Sequence, residues 1–134
     1  MHHVGFVVSD IASSAASFAK SLKAQWDGRI FADPEQKVKV TFLHTGPYDT
    51  QIELVAPDAP AAPVCKFLEE KGGGLHHVCY EVQNLETELA SMRSLGAVIA
   101  KRPKPAVAFE GRRIAWVITA EKLLVELLEK TRNE

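Results

Sequence analysis

The chain has 134 residues, 46% of them hydrophobic and 25% charged, and a net charge of −1. That is ordinary composition for a globular protein with one real core, and the charge balance gives no reason to expect nucleic acid as a partner. No apolar run reaches the length that spans a bilayer. Two cysteines, Cys65 and Cys79, are too few for a disulfide framework. The front of the chain lacks a signal-peptide pattern, so a reduced, cytoplasmic setting is expected.

Residues 1–8 read MHHVGFVV, a histidine pair running into an apolar strand. Asp10 suits a helix N-cap, and Ile11, Ala15, Phe18 and Leu22 then recur on one helical face. Residues 24–31 read as a strand. Residues 37–43 (KVKVTFL) alternate as a half-buried strand does, and residues 50–55 form another after a Gly46-Pro47 turn. Residues 56–63 (APDAPAAP) are a Pro- and Ala-rich connector, followed by a short helix over 63–72 that glycine ends.

The pattern then starts again. Residues 75–82 read LHHVCYEV, Asn84 is an N-cap type, and Leu85, Leu89 and Met92 mark a helical face that stops at Gly96. His3 to His77, Asp10 to Asn84, Ile11 to Leu85 and Phe18 to Met92 are each 74 residues apart. Strands are expected at 97–100, 113–118 and 123–128. The closing strands match as QIEL and LVEL, but Glu53 and Glu126 are 73 residues apart, one short of the offset. The reading is an α+β fold, a tandem duplication of a βαβββ unit with repeats at about 1–56 and 74–130. Each half is too small to bury a good core alone, so a single domain over 1–134 is expected. Its curled, eight-stranded mixed sheet would surround one metal-site cleft.

Four residues carry the chemistry. His3 and His77 stand at matching places before their strands. Glu53 and Glu126 each sit inside an apolar stretch, where a carboxylate is costly to bury without a compensating charge. Taken singly, a strand histidine or glutamate is more often structural. Repeated at matching places in both halves, they suit one divalent ion on the pseudo-twofold axis. Two imidazoles and two carboxylates fit zinc, nickel, cobalt or iron, and the lack of thiolate ligands argues against a closed structural zinc site. Cys79 reads as a small lining residue on the strand face of His77.

The stretches HHVGFVVSD, DTQIELVAP, KFLEEKGGGLHHVCYEV and LLVELLE resemble the vicinal oxygen chelate superfamily over nearly the whole chain. The methylmalonyl-CoA epimerase group is nearest and glyoxalase I next. The resemblance places the metal ligands on His3, Glu53, His77 and Glu126, with His2 and His76 as flanking residues. It implies a metal-dependent enzyme that removes a proton next to a carbonyl or thioester, with Glu126 as base and Glu53 as its alternative. An acyl-CoA epimerase is the first reading, with a CoA thioester as substrate and a homodimer as the assembly. Residues 37–44 (KVKVTFLH) lack the third-strand glutamate that some epimerases carry, and 119–122 (TAEK) lack their His-Pro-Lys segment. Lys101, Arg102, Lys104, Arg112 and Arg113 are expected in or beside a loop over 102–111, where they would hold a CoA phosphate. The alternatives are a glyoxalase I-like isomerase, a metal-free ligand-sequestering resistance protein, and an iron dioxygenase.

Overall fold

The computed structural model describes residues 1–46 and 50–131. The Pro47 half of the expected Gly46-Pro47 turn lies outside them. The chain forms two compact units, one over His3–His76 and one made of Met1–His2 with the residues from His77 onward.

The first unit contains β1 (His3–Val7), α1 (Ile11–Ser21), β2 (Gln25–Trp26), β3 (Phe31–Asp33), β4 (Val38–His44), β5 (Gln51–Pro57) and α2 (Pro63–Lys71). Its strand order is β2-β4-β5-β1, with β3 also paired to β4. β1 runs parallel to β5, and the other pairs are antiparallel. Asp10 caps α1 as expected, its carboxylate accepting from Ser13 N at 3.0 Å and from Ser13 Oγ at 2.7 Å. The apolar face of α1 then lies on the sheet, where Ile11 and Ala15 pack with Leu43 and Leu54.

The second unit repeats the wiring. β6 (Gly74–Val82) leads from the unit boundary into α3 (Leu85–Ser94), β7 (Val98–Pro105), β8 (Arg113–Ile118) and β9 (Leu124–Glu129). The order is β6-β9-β8-β7, parallel between β6 and β9 and antiparallel otherwise. Asn84 caps α3 through Thr87 N at 2.9 Å. Leu85 and Leu89 close the core over Ala115, Val117, Val125 and Leu127.

Two expectations need correction. Nine strands are present among the described residues, not eight, because the first unit's edge strand is broken into β2 and β3. Gly28 takes a left-handed φ of 81° and Asp27 accepts from Arg29 N at 2.9 Å, a local turn that lifts residues 27–30 off the ladder. The strand expected at 97–100 instead runs on to Pro105. Pro103 and Pro105 cannot donate to a ladder, but β7 is outermost in its unit and has a neighbour on one side only. Lys101, Arg102 and Lys104 therefore lie on a strand, not in a loop.

The shortened offset has a local cause. β4 ends at His44, which pairs with Gln51, and β8 ends at Ile118, which pairs with Leu124. His44 and Ile118 keep the 74-residue spacing, whereas Gln51 and Leu124 are 73 apart. One residue is missing from the second hairpin connection, and strand registers are untouched.

Candidate metal centre

In each unit a parallel strand pair brings one histidine to one glutamate. Gly5 of β1 is opposite Glu53 of β5, and Cys79 of β6 is opposite Glu126 of β9. Each histidine is two residues earlier on its strand, hence on the same sheet face and diagonal to the glutamate. His3 Nε2 lies 3.5 Å from Glu53 Oε1, and His77 Nε2 lies 3.6 Å from Glu126 Oε1. All four residues are buried, with 0%, 5%, 2% and 3% of their surface exposed for His3, Glu53, His77 and Glu126.

Both imidazoles are held by an aromatic ring from the strand on the other side of the glutamate. Phe42 of β4 pairs with Glu53, and Trp116 of β8 pairs with Glu126. The His3 and Phe42 ring centroids are 5.6 Å apart at 67°, those of His77 and Trp116 4.8 Å apart at 79°. An edge-to-face contact fixes the ring plane and so the direction of Nε2. Sequence reasoning missed Phe42 and Trp116, although they too are 74 residues apart.

The donor chemistry fits a divalent ion. A charge-assisted hydrogen bond between imidazolium and carboxylate would draw N and O to about 2.7–2.9 Å. The observed separations of 3.5 and 3.6 Å are longer. Two ligands that share one zinc-like ion at ~2.1 Å, subtending 90–110°, are about 3.0–3.4 Å apart. Both pairs are close to that spacing, and a cation there would offset the cost of the buried carboxylates.

Each flanking histidine meets an aromatic ring. His2 sets its ring edge against Phe109 at 5.3 Å, and His76 sets its own against Phe67 at 5.0 Å. Cys79 is fully buried and stands opposite Glu126.

Two of the five expected anion-binding cations are committed elsewhere. Arg112 pairs with Glu81 at 3.2 Å and lies over the Phe109 ring at 5.9 Å. Arg113 holds Glu86 at 2.8 Å and Glu129 at 2.9 Å. The hydrogen bonds from Arg113 pull the Glu129 and Glu86 carboxyls below their ordinary range, and those carboxylates in turn raise the guanidinium. Glu129 also accepts from Leu85 N at 3.2 Å, so this cluster staples the first turn of α3 to β8 and β9.

A family model described as the glyoxalase/bleomycin resistance protein/dioxygenase superfamily matches residues 2–116. An ethylmalonyl-CoA/methylmalonyl-CoA epimerase of Cereibacter sphaeroides is 30% identical over 118 residues, 87% of this chain and 86% of that one. The mitochondrial methylmalonyl-CoA epimerase of Homo sapiens is 33% identical over 94 residues, 69% of this chain but only 52% of that protein's length. Among solved structures, a hypothetical protein of Bacillus halodurans superposes with a TM-score of 0.85 at 28% identity, covering 98% of this chain and 94% of that one. The repeated βαβββ wiring, the two buried His–Glu pairs and these matches agree, and the chain belongs to the glyoxalase/bleomycin resistance protein/dioxygenase superfamily.

Proposed function

We propose that this protein is a metal-dependent acyl-CoA epimerase, acting on a thioester of the methylmalonyl-CoA type. The single observation that carries the reading is the duplicated pair, His3 with Glu53 and His77 with Glu126, at the same register in both units. The reading takes all four as ligands of one divalent ion, such as zinc, nickel or cobalt, and residues 1–134 as one working domain. The likeness to the Cereibacter sphaeroides epimerase supports the substrate class.

A divalent ion bound there would supply a Lewis acid for a substrate carbonyl. The rest of the work belongs to the chain. His3 and His77 offer Nε2 from rings held by Phe42 and Trp116. Burial among apolar strands keeps bulk water from the acidic carbon. The Glu126 carboxylate removes the proton next to the thioester carbonyl, and a proton is then delivered to the opposite face of that carbon. Glu53, its counterpart in the other half, is the second carboxylate that inversion at carbon calls for. β4 reads VKVTFLH and offers no further carboxylate on that strand, and this reading gives the acid–base chemistry to these two glutamates. The same reading takes the protein as a cytoplasmic homodimer. Among the described residues no helix is long and apolar enough to cross a membrane. A one-chain mass by light scattering would remove the dimer.

The test is deuterium wash-in from heavy water into methylmalonyl-CoA, read by mass spectrometry with zinc, nickel or cobalt. Metal-dependent exchange in the parent and its loss in Glu126→Gln are expected. Exchange that survives chelation contradicts the mechanism. Turnover of a methylglyoxal–glutathione hemithioacetal alone would move the assignment to a glyoxalase I-like isomerase.

A further inference from the structure

β7 carries Lys101, Arg102 and Lys104 on an outermost strand, and two register shifts interrupt its pairing with β8. Ile99 is opposite Val117, but Lys101 is opposite Trp116, so Ala100 is an extra residue between two adjacent partners. The consequence is a change of face. Ile99 and Val117 pack in the core under α3. In a regular strand Lys101, two residues on, would join them on the helix side. The bulge turns Lys101 to the side of Trp116 instead.

Trp116 is opposite Glu126, and Glu126 is opposite Cys79, so Lys101, Trp116, Glu126 and Cys79 form one cross-strand row. Residues paired across a ladder share a face. The face is confirmed by the Trp116 ring, which meets His77 at 4.8 Å. The second shift restores the alternation: Lys104 is opposite Ile114, two residues from Trp116, and so lies on that same face. Arg113, opposite Pro105, faces the other way, as its bonds to Glu86 at the start of α3 and to Glu129 at the end of β9 require. Lys101 is two strands from Glu126, about 10 Å between Cα atoms at the usual strand spacing. Both lysines are exposed, unlike the buried residues of the row.

We propose that Lys101, with Lys104 beside it, is an anion-recognition rim that the two bulges aim at the metal-ligand face. It takes a negatively charged group of the substrate and sets the reacting carbon over Glu126. The proposal rests on the acyl-CoA epimerase reading. Two anions of such a substrate have the required chemistry, a carboxylate on the acyl group and a phosphate of the coenzyme.

The experiment compares the parent with Lys101→Gln and Lys101→Arg. Exchange kinetics are run on methylmalonyl-CoA and on the methylmalonyl thioester of N-acetylcysteamine, which keeps the carboxylate and lacks phosphates. Binding of propionyl-CoA, which keeps the phosphates and lacks the carboxylate, is followed by calorimetry. Metal content is measured throughout. Lys101→Gln should raise KM about tenfold or more while metal content and folding stay as in the parent, and Lys101→Arg should restore most of it. A KM effect that persists with the truncated thioester identifies the carboxylate. Weakened propionyl-CoA binding identifies the phosphate. Parental KM and binding in Lys101→Gln, with active parent enzyme, overturn the rim. If the parent exchanges no acyl-CoA, the epimerase reading falls by itself. Propionyl-CoA or malonate binding that still weakens in Lys101→Gln then upholds the rim, and no such weakening removes it too.

Discussion

His77 and Trp116 meet edge to face, their ring centroids 4.8 Å apart, and Trp116 is also the cross-strand partner of Glu126. One aromatic residue therefore touches the imidazole and backs the carboxylate of the same pair. The first unit does this with Phe42 between His3 and Glu53. Trp116→Phe should thus keep parental metal content, since Phe42 occupies the matching place in the other half. Trp116→Ala should destabilise the fold by about 3–5 kcal/mol and weaken metal binding. Urea midpoints and metal analysis check both. Loss of metal in the phenylalanine variant would show that the ring contact is not the orienting element.

Gly73 sits in the turn after α2 with a φ of 102°, and a Cβ there would stand 2.8 Å from the backbone oxygen of Val7. Val7 ends β1, the strand that begins with His3. Gly73→Ala should therefore cost about 2 kcal/mol or more, from strained backbone and displacement of β1. Gly72 has a φ of 74° with open space around it, and Gly72→Asn should be near neutral. Equal denaturation midpoints for the two variants would contradict the close approach.

The Arg113 cluster gives acid sensitivity. Hydrogen bonds from Arg113 hold the Glu129 carboxyl below its ordinary 4.5. A carboxyl depressed on folding adds stability that is complete above its unfolded value and is lost as pH falls through its folded value. Stability should decline below about pH 4.5 and decline less in Glu129→Gln, which should also lose about 1 kcal/mol at pH 7. Urea titrations across pH 3–7 check this. Parallel curves for parent and variant would show that the cluster contributes no such linkage.

Much of this was legible in the sequence because it is written twice. The 74-residue spacing from His3 to His77 and from Asp10 to Asn84 exposed both helices, both caps and both histidines. A glutamate inside IEL or VEL stands out wherever its strand ends. What stayed hidden depends on register. The proline content of residues 102–105 reads as loop, yet an outermost strand tolerates residues that cannot donate on its open side. The break between β2 and β3 comes from the turn at Asp27 and Gly28, which alternation alone does not reveal. Phe42 and Trp116 became site residues only once their strands were seen opposite Glu53 and Glu126.

The proposed function takes one ion as shared by both His–Glu pairs. The direct test is metal stoichiometry of the purified, zinc-loaded protein by native mass spectrometry, with Glu53→Gln and Glu126→Gln beside the parent. One ion per chain in the parent is predicted, with both variants losing it although the substitutions lie in different units. Two ions per chain, or one ion kept when either glutamate is replaced, would contradict the shared centre.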